Sequence, residues 1–290
     1  LTFDDGYQSF YTKVFPLLKE YRYPAMLALV TSWLDYAPAG LGPMVTWSQV
    51  REMEASGLVS IASHSHDSHR FGLVTPQGDR GPVLSSLLYK NGQYESREIN
   101  RQRIREDLQQ SQAVLERELG HTVQAVVWPY GAYTQPALEE ARQAGFAACF
   151  ALAGGRNQPG EKALQGARRV IVLNNPSEKD FARLLAEDGV KAIKAVQLDL
   201  DMIYDPVSSG QTEENLRLAI ERIRESQANT VYLQAFSDAD GSGDIKSVYF
   251  YTQAAPVKAD LFSHVVARLR EEGKFSIYAW LPTLAGQWLM

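Results

Sequence analysis

The chain has 290 residues, of which 45% are hydrophobic and 22% are charged. This length and composition predict one large or two ordinary folded domains and exclude a disordered or fibrous chain. The net charge of −5 does not provide the concentrated basic surface that phosphate backbones require, so we expect no nucleic acid partner. No apolar run reaches the roughly 20 residues of a membrane span, and the one cysteine excludes an intrachain disulfide.

Residues 1–175 alternate strand-like and helix-like patterns. Strands are predicted at 1–3, 25–30, 58–63, 123–127 and 147–151, and helices at 8–21, 47–56, 99–119 and 136–144. Residues 72–98 are rich in glycine, serine and proline and predict a long loop or insertion. The alternation predicts an α/β fold with a mostly parallel sheet, in which reactive groups collect at the carboxyl ends of the strands.

The composition becomes polar between residues 174 and 192, and we place a domain boundary there, with domains at 1–189 and 190–290. The second domain begins another βα series, with strands at 195–203, 230–236 and 275–281 and helices at 212–226 and 259–272. A complete (β/α)₈ barrel needs ~250 residues, so we expect this domain to be the first part of one. Because the chain starts without a methionine inside a strand, we also expect the first domain to lack its N-terminal portion.

Three of the five histidines, His64, His66 and His69, fall within six residues at a predicted strand end. A lone histidine is usually a packing residue, but three in one turn favour a metal site. Two imidazoles and one carboxylate give three ligands and leave positions open for water and substrate. Such mixed ligands accept one divalent transition metal ion, whether Zn, Ni, Co or Fe. We assign His66 to a supporting or solvent-exposed role.

Asp4 and Asp5 directly follow the first predicted strand. An acidic pair followed by glycine is by itself most often a turn. Beside two imidazoles, however, one carboxylate can bind the metal while the other removes a proton from water. This arrangement suits hydrolysis of an amide.

The chain resembles the polysaccharide deacetylases, carbohydrate esterase family four, over about residues 1–175. The motifs that carry the resemblance are Thr-Phe-Asp-Asp-Gly (2–6), Ser-His-Ser-His-Asp-Ser-His (63–69) and Trp-Pro-Tyr-Gly (128–131). The resemblance implies a distorted (β/α) barrel with a defined set of site residues. These are Asp5, His64 and His69 as metal ligands, Asp4 as general base, the backbone N–H of Tyr130 at the oxyanion, and Trp128, Pro129 and Gly131 in substrate binding.

Three departures from the family pattern point to one branch of it. Val127 stands where many members have an arginine, the motif histidines are five residues apart instead of four, and no late strand supplies the usual general-acid histidine. These features resemble the poly-β-1,6-N-acetyl-D-glucosamine N-deacetylases of bacterial biofilm export, whose barrel is circularly permuted. The resemblance then places the acid histidine upstream of Leu1.

The second domain resembles the glycoside-hydrolase-like barrel of the same branch through residues 196–205, 237–244 and 278–282. Its cleft would be lined by Asp199, Asp201, Asp238 and Trp280. A solvated turn explains residues 238–244 equally well. Glycosidic cleavage needs a pair of carboxylates, and the sequence does not identify that pair.

The resemblance implies metal-dependent N-deacetylation of poly-β-1,6-N-acetyl-D-glucosamine in the periplasm, at the outer membrane. The polysaccharide and an outer-membrane export machinery would be the partners, and a lipid anchor would lie upstream of this chain. Two alternatives stay open. One is a chitin or peptidoglycan deacetylase, which shares the chemistry but not the polymer. The other is a carbohydrate-binding export protein whose catalytic site has weakened, and metal content would distinguish it.

Overall fold

The computed structural model describes residues 1–152, 157, 165–186, 192–273 and 275–282. The chain divides into two compact units. The first comprises Leu1–Gly72 and Gly81–Val190, and the second comprises Leu73–Arg80 and Lys191–Met290. Part of the predicted insertion therefore groups with the second unit. Within the described residues, every helix is too short or too polar to cross a bilayer.

A six-stranded sheet forms the centre of the first unit, and all of its neighbouring strands pair in parallel. Its strands, in spatial order, are Thr2–Phe3, Ala25–Leu29, Val59–Ser63, Ala125–Val127, Ala148–Ala151 and Gln165–Arg168. The predicted α/β fold with a parallel sheet is confirmed. The last strand was missed by the sequence analysis.

Helices accompany these strands in the alternation that the sequence predicts. The helical segments of the first unit are Phe10–Val14 (π-helical), Phe15–Tyr21, Thr31–Leu34 (3₁₀), Trp47–Ala55, Arg97–Leu119, Pro129–Gly131 (3₁₀), Gln135–Gln143 and Glu178–Ala186. Thr46 begins the helix Trp47–Ala55 with a capping box, because its hydroxyl accepts from the Gln49 N–H while the Gln49 side chain accepts from the Thr46 N–H.

Residues 72–98 form short strands where the sequence predicts a long loop or insertion. These strands are Phe71–Leu73, Arg80–Pro82, Tyr89–Lys90 and Gln93–Tyr94. The last two pair as an antiparallel hairpin. Pro76 and Gly78 lie between the first two of these strands and Gly92 lies in the hairpin turn, whereas the other glycines and prolines of the segment lie within strands.

The two faces of the six-stranded sheet differ in side-chain size. Leu27, Ile61 and Val126 point to one face and pack with large side chains of the helices. Their neighbours along the strands point to the other face, because side chains alternate. That face carries a separate buried cluster of small residues, formed by Ala28, Ala62, Ala125 and Val127. The partly buried side chains of Met26, Ala148 and Phe150 pack against this cluster.

The second unit contains a three-stranded parallel sheet of Ala195–Leu198, Thr230–Gln234 and Ser276–Trp280. Helices Ser209–Glu225 and Phe262–Glu272 lie between these strands in sequence. Leu200–Met202 is a 3₁₀ turn, and Phe236–Ser237 pairs antiparallel with Ser247–Val248. The predicted βα series is therefore present. A core that includes Leu216, Leu233 and Val265 joins sheet and helices.

The buried carboxylate of Glu140 links two helices of the first unit. It accepts hydrogen bonds from Nε of Arg101 at 2.8 Å and from Nε of Arg105 at 2.7 Å. Both arginines belong to the long helix Arg97–Leu119, whereas Glu140 belongs to Gln135–Gln143. The Glu140 side chain is fully buried and each arginine is partly exposed. Either arginine alone therefore still gives the carboxylate one charged partner.

We predict that replacing Arg101 and Arg105 together by Ala lowers the free energy of unfolding by about 3–5 kcal/mol, because it leaves a buried carboxylate unpaired. Each single substitution should cost much less than half of this. Urea unfolding of the three variants measures the difference. Adding Glu140→Leu to the double variant should recover part of the loss, and simple additivity of the two single variants would contradict the prediction.

Candidate functional site

The carboxyl ends of the strands bring the predicted metal ligands together. Asp5 follows the strand Thr2–Phe3, and His64 follows Val59–Ser63. Oδ1 of Asp5 lies 3.5 Å from Nε2 of His64 and 3.3 Å from Nε2 of His69. One ligand atom from each of these residues lies within 4.8 Å of the others. The group could therefore hold one metal ion.

The chemistry of Asp5 fits a cation at this position. Its Oδ1 atom is buried and has no hydrogen-bond partner in the described structure. A buried acceptor without a partner is costly, and burial also raises the pKa of the Asp5 carboxyl. A divalent ion bound to Oδ1 would offset both effects, because it favours the ionised carboxylate.

His64 is held in the tautomer that a metal ligand needs. Its Nδ1 atom lies 2.6 Å from the carbonyl oxygen of Val127, and because a carbonyl only accepts, Nδ1 carries the proton. The lone pair of Nε2 therefore faces Asp5. Burial lowers the pKa of His64 to about 4, so the imidazole is neutral near neutral pH. The backbone carbonyl of Val127 thus orients the His64 ring.

Aromatic rings surround His69. Its imidazole lies 4.5 Å from the ring of Tyr130 and meets the ring of Trp33 edge-on at 4.9 Å, measured between centroids. Phe71 in turn meets Tyr130 edge-on at 4.5 Å. Tyr130 and Phe71 keep 38% and 40% of their surface exposed, so these two rings form an open wall beside the site.

Asp4 is held by an arginine that the sequence analysis missed. Nη1 and Nη2 of Arg169 donate to Oδ1 and Oδ2 of Asp4 at 2.7 and 2.9 Å, a bidentate ion pair that fixes the carboxylate plane. Oδ2 of Asp4 lies 3.9 Å from Nε2 of His64. Arg169 follows the strand Gln165–Arg168, which lies at the opposite edge of the sheet from Thr2–Phe3. The sheet is therefore curled enough for its two edges to meet.

The Trp-Pro-Tyr-Gly turn presents one ring to solvent. Trp128 and Pro129 are buried, and Trp128 belongs to the main core of the first unit. Burial of these two side chains does not favour direct contact with substrate, so their predicted binding role stays a prediction. Gly131 has a φ of +67°, and a Cβ there would lie 2.5 Å from the backbone N of Leu152. Only glycine fits this turn, which sets the position of Tyr130.

Three non-glycine residues of the site have left-handed backbone conformations. The φ angles are 77° at Asp5, 76° at Ser65 and 57° at Tyr130. Such conformations are uncommon outside glycine and recur at functional sites. Each of the three motifs therefore contains one locally strained residue.

The other histidines have partners of their own. Nδ1 of His66 lies 2.9 Å from the hydroxyl oxygen of Thr31, which agrees with the supporting role expected for it. His121 is exposed and pairs with Glu54 at 3.2 Å. His264 is buried in the second unit, where Nε2 lies 2.7 Å from Glu213. The described residues thus bring no third imidazole into the metal-ligand group.

In the second unit, Asp201 is the centre of a hydrogen-bond network. Its carboxylate accepts from the hydroxyls of Ser237 and Tyr249, both at 2.7 Å, and from Nζ of Lys258 at 3.0 Å. The backbone N–H of Asp238 and the side chain of Gln234 also donate to it, at 2.7 and 3.1 Å. Asp201 therefore ties together the segments that follow two neighbouring strands.

The two carboxyls that follow the first strand of this unit have different environments. Burial would raise the pKa of Asp201, but its hydrogen bonds outweigh burial and lower that pKa to about 2. Burial raises the pKa of Asp199, which accepts from the Asp201 N–H at 2.8 Å. Trp280 ends the strand Ser276–Trp280, and 38% of its surface is exposed. The two neighbouring carboxyls therefore differ in how readily each loses its proton.

The fold and the site together define a class of protein, an α/β chain with a candidate centre for one metal ion of the kind that hydrolases use. Residues 1–149 match the family profile described as polysaccharide deacetylase. The chain belongs to the polysaccharide deacetylase family, as the resemblance of its motifs predicted. Residues 197–288 match the profile described as hypothetical glycosyl hydrolase family 13.

Curated proteins and solved structures that are similar to this chain support the same family assignment. The poly-beta-1,6-N-acetyl-D-glucosamine N-deacetylase of Escherichia coli (strain K12) is 38% identical over 299 residues, covering 98% of this chain and 44% of the relative. The chain thus spans less than half of that protein. The BpsB deacetylase domain of Bordetella bronchiseptica is 44% identical with a TM-score of 0.55, covering 59% of this chain and 70% of that one. A de-N-acetylase of Aggregatibacter actinomycetemcomitans is 35% identical with a TM-score of 0.59, covering 63% and 73%.

We predict that Asp201→Asn lowers the thermal stability of the second unit at neutral pH and that the difference from wild type shrinks in acid. The folded-state pKa of about 2 lies below the ordinary value of 3.8. The carboxylate therefore stabilises the fold fully above about pH 4, and this contribution is lost as the pH falls through about 2. Thermal unfolding at several pH values measures the effect. Glu225→Gln, at an exposed carboxylate of the same unit, is the control, and a pH-independent difference for Asp201→Asn would contradict the prediction.

Proposed function

We propose that this chain hydrolyses the acetamido groups of poly-β-1,6-N-acetyl-D-glucosamine, releasing acetate and leaving free amines. The observation that carries the proposal is the convergence of Asp5, His64 and His69 within 4.8 Å, with Asp4 beside them. Two imidazoles and two carboxylates at the carboxyl ends of the strands suit amide hydrolysis better than substrate binding alone. The names of the relatives and their similarity to this chain support poly-β-1,6-N-acetyl-D-glucosamine as the substrate. This assignment is a proposal because this chain spans only part of their length.

Asp5, His64 and His69 would hold one divalent transition metal ion, with Zn, Ni, Co and Fe all compatible with the ligands. When bound, such an ion polarises a carbonyl group and lowers the pKa of a bound water. The neutral His64 imidazole, whose pKa is lowered to about 4 by burial, can bind it near neutral pH without first losing a proton.

Asp4 would act as the general base that takes a proton from the attacking water. Its carboxylate accepts two charged hydrogen bonds from Arg169, which fix the plane of the carboxylate. Efficient proton transfer requires such a fixed geometry. The ion pair therefore supplies the orientation that many family members obtain from an arginine near position 127.

The backbone N–H of Tyr130 would donate to the acetyl oxygen as negative charge develops on it. The left-handed turn at Tyr130, which Gly131 makes possible, fixes the direction of this group. The exposed ring of Tyr130 and its neighbour Phe71 would line the substrate groove, since flat rings stack on sugar faces. Trp128, Pro129 and Gly131 would shape this groove through the turn itself.

We propose residues 1–189 as the deacetylase domain and residues 190–290 as a glycoside-hydrolase-like domain. In the latter, Asp199, Asp238 and Trp280 would face a sugar, while Asp201 is occupied by its own hydrogen bonds. The raised pKa of Asp199, caused by burial, suits it to proton donation. The export machinery, the lipid anchor and the periplasmic location stay predictions of the resemblance.

We predict that His64→Ala and His69→Ala each abolish tight metal binding and acetate release together, because each removes one of three ligands. Metal content by mass spectrometry and acetate release from N-acetylglucosamine oligomers are the two measurements. His121→Ala, which removes an exposed histidine paired with Glu54, should leave both unchanged. Full activity in either ligand variant would rule out this metal site.

The choice of polymer is tested by comparing β-1,6-linked with β-1,4-linked N-acetylglucosamine oligomers. Faster acetate release from the β-1,6 oligomers supports the proposal, whereas a preference for β-1,4 oligomers would indicate a chitin or peptidoglycan deacetylase. A chain that binds oligomers, but neither binds metal nor releases acetate, would be a carbohydrate-binding protein with a weakened catalytic site.

We predict that Arg169→Met lowers kcat by about 10–100-fold while metal content stays at the wild-type level, because it frees the base without touching a ligand. Arg169→Lys should recover only part of kcat, since an ammonium group cannot form the bidentate pair. Arg168→Met, at the exposed neighbouring position, is the matched control. An Arg169→Met variant with unchanged kcat would show that Asp4 needs no such partner.

A further inference from the structure

The loop that carries His69 is held by a carboxylate from another element. Asp107 lies in the long helix Arg97–Leu119 and accepts hydrogen bonds from three consecutive residues of the loop. Its Oδ2 atom accepts from the His66 N–H at 3.0 Å. Its Oδ1 atom accepts from the Asp67 N–H at 2.9 Å and from the Ser68 hydroxyl at 2.8 Å.

The backbone of the loop is shaped to receive an anion. Ser65 has a φ of 76°, so the chain turns sharply and the next two N–H groups point in one direction. Successive N–H groups after such a turn form a concavity that binds a negative group. Here the carboxylate of Asp107 fills that concavity. The last residue that it binds, Ser68, directly precedes the predicted ligand His69 in the sequence.

The same helix also contacts the start of the histidine motif (residues 63–69), through a residue one helical turn after Asp107. The hydroxyls of Ser111 and Ser63 lie 2.7 Å apart, and Ser63 Oγ also accepts from the Ser65 N–H at 3.1 Å. Because Asp107 and Ser111 are four residues apart, they share one face of the helix. The helix therefore contacts the motif at both of its ends, before His64 and before His69.

We infer that Asp107 is a positioning residue of the metal centre, which fixes the loop so that Nε2 of His69 meets Asp5. The inference rests on the proposed function, because it assigns a role toward the same ion. The carboxylate cannot be replaced by an amide. Asparagine has one acceptor oxygen and one donor NH₂ group, so in either orientation the NH₂ group faces the N–H of His66 or of Asp67.

The test is Asp107→Asn, an almost isosteric change. The affinity of the metal-free chain for Co²⁺ should fall about 10–100-fold, the usual effect of losing support for a ligand. The visible absorption spectrum of the Co²⁺ complex should also change, because His69 moves. In the metal-free protein, the amides of His66 and Asp67 should exchange with solvent faster. Gln112→Met is the matched control, because Gln112 is a buried polar residue of the same helix that donates to the Val123 carbonyl. It should leave Co²⁺ affinity and spectrum unchanged.

Wild-type Co²⁺ affinity and unchanged amide exchange in Asp107→Asn would overturn the inference. If the wild-type chain itself failed to bind Co²⁺, the proposed function would fall, and amide exchange in the metal-free protein would still decide whether Asp107 holds the loop. If Asp107→Asn did not fold by circular dichroism, Ser68→Ala would decide, since it removes one of the three hydrogen bonds. A loss of Co²⁺ affinity in Ser68→Ala that is smaller than the loss expected for Asp107→Asn supports the inference, and an unchanged affinity in Ser68→Ala overturns it.

Discussion

Parallel pairing throughout the six-stranded sheet is the constraint on which the site depends. Because every strand runs the same way, all of the carboxyl ends lie at one rim, and residues far apart in sequence meet there. The curl of the sheet adds the second condition, since it brings the two edge strands close enough for Arg169 to pair with Asp4. A flat sheet of the same strand order would separate these two side chains by its full width.

The rim is supported from outside by the long helix. Ser111 and Asp107 contact the histidine motif, while Arg101 and Arg105 on the same helix bind Glu140 of a neighbouring helix. One helix therefore connects the loop that carries His69 to the packing of the first unit.

The sequence predicted the elements whose signals are local. The helix predicted at 47–56 was confirmed as Trp47–Ala55, because its apolar pattern and its cap depend on residues close in sequence. The ligand set of Asp5, His64 and His69 was predicted through motifs that resemble those of the polysaccharide deacetylases. Arg169 was missed because its strand is short and its partner Asp4 lies 165 positions away. Asp107 was missed because an acidic residue on an amphipathic helix looks like any solvated side chain. Both roles depend on tertiary contacts that carry no local pattern.

The left-handed residues Asp5, Ser65 and Tyr130 have a consequence for how this chain tolerates change. A non-glycine residue in that conformation gives up on the order of 1 kcal/mol relative to glycine. Glycine would relieve this strain at each position, but at Ser65 it would also remove the hydroxyl that accepts from the Ser68 N–H. At Asp5 and Tyr130, a substitution that relieves backbone strain would remove a side chain of the site, so the backbone and the site place opposite demands on these two positions.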